Sequence, residues 1–504
     1  MLKIRRVIIS VWDKKGLPEL AKKLAEFNAE IISTGKTAAM LRREGLTIKD
    51  VSAVTSFPEI LGGRVKTLHP KIFGGILANK RHPLHMEEIK ALSIEPFDMV
   101  VVNFYPFKER LKERSTLEEM IEYIDVGGPS MLRAAAKNFR NVACVSSPVQ
   151  YKMIIEELAK NKGFLSEETL KVLAQEVFFS TKEYDNAIYG YLAGKELMSL
   201  DMEKIAGLRY GENPHQKGSL YKATGAGNLS YRQIQGKEVS FNNLLDLDAA
   251  VSMVRDCNEP AAAIVKHASL CGMGVDKKLC HAYRKAYLTD TLSSFGGIIS
   301  VNRKVDKETA REIIKSEFKE GVIAPSYSKE ALKMFSVKKN FVVLEADLET
   351  WTPAEREIRT TFFGYLVQDR DALTIDKNTL RVVTKKKPSA RELKDLLFAW
   401  KVAKFVRSNA IVVARNQAVL GIGGGQPSRV GAAKIALAHT GAARGAVLAS
   451  DGFFPKEDSI KLAYRKGIRA IISPGGSIKD KDIIKLCDSL GVCMLFTGIR
   501  HFRH

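Results

Sequence analysis

Short β-rich runs and amphipathic helical stretches alternate through the first 150 residues, and that alternation restricts the chain to very few architectures. "RRVIISV" reads as a buried strand, "LPELAKKLAEF" carries Leu17, Leu20, Ala21 and Leu24 at helical spacing, "AEIISTG" returns to strand and "TAAMLRREG" to helix. Strands joined through helices lie parallel in one sheet with both faces covered. "FDMVVVNFYPF" and "NVACVSS" supply two more strands, and "STLEEMIEYIDVGGPSMLRAAAKNF" two helical pieces broken at Gly127-Gly128. From about 149 to 200 the chain is polar and helical, so the expected domains are 1–199 and 200–504. In the second, strands "AAAIVKH", "GGIISVN", "AIVVARN", "AVLGIGGG", "GAVLASD", "IRAIISPGG" and "VCMLFTG" alternate with helices such as "SARELKDLLFAWKVAKFVRS". The expected fold is therefore α/β throughout. We find no fixed-period repeat and no low-complexity tract.

Composition narrows the partners. Lys plus Arg total 79 against 57 Asp plus Glu, a formal charge of +22. Nucleic acid, anionic small substrates and a Lys-rich solvated surface would each use that excess; the densest cluster, "KKKP" at 385–388, has no interleaved aromatics, so no nucleic-acid partner is expected. No apolar run approaches the roughly 18 residues a membrane span needs, and the apolar core of "MLKIRRVIISVWDKKG" is too short for a signal peptide. The expected compartment is the cytoplasm, without membrane attachment. Cys144, Cys257, Cys271, Cys280, Cys487 and Cys493 form no C-x-x-C pair, so we expect reduced thiols and no metal.

Three loops follow strands and open helices: "SVWDKKG" with Ser10, Asp13 and Lys14, "STGKTA" with Thr34, Gly35, Lys36 and Thr37, and "DVGGPSM" with Asp125, Gly127 and Gly128. Unpaired N–H groups at helix starts attract anions, and three such loops at the carboxyl edge of one sheet would form a phosphate pocket. None is a G-x-G-x-x-G or Walker A loop. "GRVKTLHPKIFGGIL" adds Arg64, Lys66, Thr67 and His69 in one short loop. Lys137, in "RAAAKN", sits among alanines, where partial burial would lower its pKa and suit proton transfer; an exposed helix lysine fits the pattern equally well. In the second half "IVKHASLCG" sets Lys266 and His267 at the end of a buried strand, either as a polar exit from the core or as an acid–base pair.

"RVKTLHPKIFGGIL", "VVNFYPF" and "DVGGPSMLRAAAKN" resemble the IMP cyclohydrolase blocks of the bifunctional purine-biosynthesis PurH family, whose N-terminal domain has a methylglyoxal-synthase-like parallel-sheet fold. "LRYGENPHQ", "FNNLLDLDAA", "IVKHASLCG", "SSFGGIISVNR" and "FTGIRHFRH" resemble its aminoimidazole carboxamide ribonucleotide transformylase domain, built of cytidine-deaminase-like subdomains without zinc. The resemblance implies two consecutive reactions. A formyl group passes from 10-formyltetrahydrofolate to the amine of 5-aminoimidazole-4-carboxamide ribotide, and the formamido product then closes to IMP with loss of water. It implies a cyclohydrolase catalytic set of Lys66, Thr67, Tyr105, Asp125 and Lys137, with Arg64 and Asn103 on the nucleotide. For the transformylase it implies Lys266 and His267 as catalytic residues, Arg209, Tyr210, Gly296, Asn409, Arg429, Phe453 and Arg500 on the substrate, and Asp458, Ser477 and Ile478 on the folate. It also implies a homodimer, no catalytic metal and a docked C-terminal "RHFRH".

The chain departs from the family pattern in places: Lys36 stands where a glycine is usual, Leu270 where a proline is, Ser326 where many members carry aspartate, and "FGYLVQ" from Phe363 replaces G-G-L-L-V-Q. An enzyme keeping the cyclohydrolase with a weakened transformylase half is the alternative that these departures leave open.

Overall fold

A computed structural model describes residues 1–113, 116–223, 230–349, 356–375 and 379–504. The chain divides into two compact units, Met1–Ser199 and Leu200–His504.

The first unit is a five-stranded parallel sheet. In chain order it contains β1 (Arg6–Val11), α1 (Leu17–Glu26), β2 (Glu30–Ser33), α2 (Gly35–Arg43), β3 (Ile48–Asp50), β4 (Met99–Asn103), α3 (Gly127–Lys137), β5 (Ala143–Val145) and α4 (Glu167–Leu192), with strand order β3-β2-β1-β4-β5. β4 is buried at every position, as a strand covered on both faces must be. The order reverses between β1 and β4, so a ligand crevice is expected outside their carboxyl ends.

The second unit centres on a twelve-stranded sheet. A hairpin of β6 (Met202–Leu208) and β7 (Gly218–Ala223) comes first, followed by β8 (Arg232–Gln235), α5 (Phe241–Arg255), β9 (Ala261–Lys266), β10 (Ser269–Val275), α6 (Leu279–Thr289), β11 (Ile298–Val301), β12 (Gly321–Ala324) and β13 (Val342–Glu345). The second hairpin, β14 (Arg356–Thr361) and β15 (Gly364–Asp369), precedes β16 (Arg381–Val382), α7 (Ala390–Ala403), β17 (Ile411–Arg415), β18 (Ala418–Gly423), α8 (Arg429–His439), β19 (Val447–Ser450), β20 (Ala470–Ser473) and β21 (Cys493–Phe496). The sheet order is β8-β13-β12-β11-β9-β10-β18-β17-β19-β20-β21-β16.

That order is a duplication, which corrects the reading that the chain holds no repeat. The turn at His267 recurs at Asn416 and the helix residue Asp246 at Asp395, both at an interval of 149 residues. The shared features are backbone devices. Each half has a bulge one residue before the end of its first hairpin pairing, and each has a strand glycine onto which a helix carbonyl closes. A Cβ on Gly272 would lie 2.1 Å from the Ala286 carbonyl, and one on Gly421 would lie 2.1 Å from that of Ala436. Only glycine admits that approach. Because few side chains repeat, period-searching in the sequence finds nothing.

Among the described residues no helix is long and apolar enough to cross a membrane, no group of three His, Cys, Asp or Glu side chains converges as a metal site, and all six cysteines are free and buried.

Candidate active sites

In the first unit the carboxyl ends of β1, β2 and β4 bring four loops together. Asn103 closes β4, and its Oδ1 accepts the N–H groups of Trp12 at 2.7 Å and Asp13 at 2.9 Å while its Nδ2 donates to the Asp13 carbonyl at 2.7 Å. Its amide is thus occupied in shaping the loop with Ser10, Asp13 and Lys14. Lys14 Nζ turns back to the Trp12 carbonyl at 3.0 Å. Thr34 caps α2 without a side-chain hydrogen bond, leaving N–H groups at that end for an anion. Gly35 takes the positive φ of this loop, +53°, so Lys36 adopts ordinary helical geometry in the exposed first turn. Thr37 is buried and donates to the Val11 carbonyl at 3.1 Å.

Lys66 reaches the loop at Gly35. Its Nζ is 2.9 Å from Glu59 Oε1. Thr67 is buried beside Gly127. Arg64 pairs with Glu122, and His69 caps the next helix by accepting the Lys71 N–H at 3.1 Å. Asp125 Oδ1 accepts the Gly128 N–H at 3.0 Å at the start of α3, and its own N–H reaches the Tyr184 hydroxyl at 2.8 Å. Burial raises the Asp125 pKa against that stabilising N–H. Tyr105, edge-on to Trp12 with ring centroids 5.0 Å apart, is also raised, first by burial and then by the Asp125 charge, with Lys66 opposing. Tyr105 thus lies within electrostatic reach of both Asp125 and Lys66. Glu59 and Tyr184 belong to the same neighbourhood and carry no motif that sequence reasoning singles out, and Trp12 lies in the first loop without being named there.

Lys137 ends the same helix that Asp125 opens. The alanines before it are buried, but Lys137 itself is exposed. Ten residues of helix separate it from Gly127, a rise of about 15 Å. Of the two readings the pattern left open, the exposed helix lysine holds: the packed face of α3 ends at Ala136.

In the second unit, the turn that follows β9 opens onto a cavity of about 400 Å³ lined by Lys266, His267, Ser269, Leu270, Cys271, Thr289, Asp290, Ser293, Gly421, Ile422 and His439. The pair is an open edge. His267 and Ala268 both have φ +52°. Gly296, with φ +74°, lies just before Ile298, whose partner across the sheet is Val265.

The other expected residues lie farther along the same edge. Asn409 precedes β17, Phe453 follows β19, Ser477 and Ile478 follow β20, and Arg500 follows β21. Arg429, buried at the start of α8, is engaged by Asn409 Oδ1 at 2.8 Å, Ser450 Oγ at 2.8 Å and Asp451 Oδ1 at 2.5 Å. Its charge is therefore matched within the fold. Arg500 is exposed, with its guanidinium 4.3 Å from the centre of the Phe502 ring. The final residues are docked: His501 is buried and contacts Asp371, and the Arg503 carbonyl accepts the Ser408 N–H at 2.9 Å. Arg209 donates to the Tyr210 hydroxyl at 2.7 Å on an exposed loop. Asp458 begins a helix and caps Ser459 at 2.7 Å, and Ile478 is wholly exposed. None of these residues lines the cavity beside His267. From β9 to β19 there are four strand spacings, about 19 Å.

The AICARFT/IMPCHase bienzyme family matches residues 135–439 and the MGS-like domain family matches residues 16–130. Bifunctional purine biosynthesis protein PurH of Bacillus cereus (strain AH187) is 47% identical over 511 residues, covering 99% of this chain and 100% of that protein. The protein of the same name from Bacillus anthracis shares the same identity and coverage. A solved structure, "Crystal structure of ForH", is 29% identical and covers 38% of this chain and 100% of that one at a TM-score of 0.34.

Proposed function

The chain belongs to the AICARFT/IMPCHase bienzyme family, with formyltransferase and IMP cyclohydrolase activities of purine biosynthesis, and from that premise we propose how its residues divide the two reactions. Unit 1–199 closes the ring and unit 200–504 transfers the formyl group, from 10-formyltetrahydrofolate.

In ring closure the carboxamide nitrogen attacks the formyl carbon of the same molecule, forming the C–N bond of the ring, and the formyl oxygen leaves as water. The site contributes by fixing the reactive conformer and moving protons. Lys66 and Tyr105 donate to the formyl oxygen; the raised pKa of Tyr105 keeps its proton in place until that oxygen needs it. Asp125, with its raised pKa, receives the amide proton. The ribotide phosphate sits at the start of α2, against Thr34, Gly35, Lys36 and Thr37. Lys137, exposed at the end of α3, is given no role in this reading.

In formyl transfer the substrate amine attacks the formyl carbon while the bond to the folate nitrogen breaks. His267 accepts the amine proton and Lys266 donates to the departing nitrogen. The observation that carries this half is the cavity beside Lys266 and His267, of a size that takes a small ligand. No step calls for a metal.

The nucleotide-binding half of the edge lies about 19 Å from His267 by strand spacing, longer than one ribotide reaches. We therefore assign the complete transformylase site to a homodimer, one chain contributing Lys266 and His267 and its partner Asn409, Phe453 and Arg500 with the folate residues Asp458, Ser477 and Ile478. Exposed Phe362, Phe363, Tyr365 and Leu366 on the β14–β15 hairpin suit burial against a second copy. The six free thiols agree with a cytoplasmic location.

The deciding experiment follows the carboxamide ribotide plus formylfolate through to IMP with Lys66→Ala and His267→Ala introduced separately. The first is expected to accumulate the formamido intermediate, and the second to consume no folate while still closing the ring when the formamido ribotide is supplied directly. Failure of His267→Ala to close the ring on supplied formamido ribotide, or of Lys66→Ala to consume folate, overturns the division.

A further inference from the structure

His267 stands on a turn that its own residues disfavour. The β9–β10 hairpin closes through two residues, His267 and Ala268, both with φ +52°, the conformation that asparagine and glycine fill with least strain. A buried carboxylate holds it there. Asp246, on α5 and 7% exposed, accepts the Ala268 N–H at 2.6 Å.

The duplication contains the same device without a reacting group. Asp395, 2% exposed on α7, accepts the N–H groups of Asn416 at 2.9 Å and Gln417 at 2.7 Å, both at φ +54°. An aspartate on the packing helix is therefore the fold's own way of fixing this turn, and in the first half that fixed turn carries the imidazole.

We propose that Asp246 is a positioning residue for formyl transfer: by bonding the Ala268 N–H of the strained turn it holds the His267 imidazole toward the cavity. The proposal rests on the assignment of His267 as the proton acceptor. Its loss leaves ligand contacts intact and removes only the orientation of the base, so it acts on kcat rather than on KM.

The test measures steady-state formyl transfer and, in the same chain, ring closure. Asp246→Ala is expected to lower the transfer kcat about tenfold, the order that a misdirected catalytic group loses, with KM for the ribotide and ring closure unchanged. Ala268→Gly in that background, which relaxes the second turn position, is expected to restore kcat to within about threefold. Asp395→Ala is expected to leave the transfer kcat within about twofold while lowering the melting temperature. If Asp246→Ala does not fold, Asp246→Asn, which keeps one acceptor, is measured the same way and is expected to lose less than the alanine figure. A transfer kcat unchanged by loss of the carboxylate, a loss that Ala268→Gly does not recover, or an equal loss in Asp395→Ala overturns the proposal. His267→Ala is run beside them: full formyl transfer there sinks the assignment of His267 itself, whatever the Asp246 variants do.

Discussion

Glu59 Oε1 lies 2.9 Å from Lys66 Nζ, at the point where the anion loop of the first unit meets Tyr105 and Asp125. In the proposed reaction Lys66 donates to the departing oxygen, and Glu59 holds its ammonium for that role. Lys66→Met is expected to reduce the ring-closure kcat by about 10²-fold or more, as loss of an oxyanion donor does, with formyl transfer unchanged. Glu59→Gln removes only the partner and is expected to give a smaller loss in the same direction. Direct assay of the formamido ribotide as substrate reads both.

Asp125 shows that the site is maintained against stability. Its pKa is raised in the fold by burial, so the carboxyl favours the folded state below its ordinary range, and that contribution is lost as pH rises through the raised value. At neutral pH the native chain thus carries a partly buried charge. Asp125→Asn keeps an acceptor for the Gly128 N–H and removes the charge. It is expected to raise the melting temperature of the first unit by about a degree or two at neutral pH, the difference closing in acid, while ring closure falls about 10²-fold or more. An Asp125→Asn variant no more stable at neutral pH counts against this balance.

Lys319 carries the opposite sign. It is buried, its Nζ donates to the Glu317 carbonyl at 3.1 Å, and it lies 4.9 Å from the centre of the Tyr287 ring. Burial lowers its pKa to about 8, against a weaker opposing pull from Glu317. The unfolded chain holds this proton up to about 10.5, so the folded state gains stability as pH rises between those values. Lys319→Met is expected to raise the melting temperature by about 2–4 °C at neutral pH, with an advantage that shrinks across that window. A constant difference across it removes titration as the cause.

Four strands of the first unit's parallel sheet were legible because each is a short apolar run, as "VVV" in "FDMVVVNFYPF" shows, whereas β3, with the sequence IKD, is too short and polar to stand out. The strands Ser269–Val275, Gly321–Ala324 and Val342–Glu345 were not, because glycines, or flanking sequence without helical punctuation, blur their period. The duplication was invisible for a related reason: what repeats is Asp246 as Asp395 and Gly272 as Gly421, residues that fix backbone rather than pattern. Lys137 was placed beside buried alanines, yet one step around a helix turns a side chain by 100° and carries it out to solvent. Lys66, Asp125 and His267 were legible as motif residues. Glu59, Tyr184 and Asp246 were not, since their importance lies in contacts that sequence spacing does not encode.

The strand spacing along the second sheet yields a test of the assembly. His267 and Arg500 sit on one edge, separated by the strands from β9 to β21, so a ribotide touching both must take them from different chains. His267→Ala and Arg500→Ala are each expected to lower formyl transfer severely when alone. Arg500 is exposed, so its replacement leaves the fold intact. Unfolded together and refolded in equal amounts, half the dimers would be mixed, and each mixed dimer would hold one site with both residues native and one with neither. Mixing is expected to recover about a quarter of the native rate if the site is shared across a twofold interface. If both residues act within one chain, every site in the mixture lacks one of them and no activity returns. Recovery near zero from a mixture that gel filtration shows to be dimeric would therefore overturn the shared site.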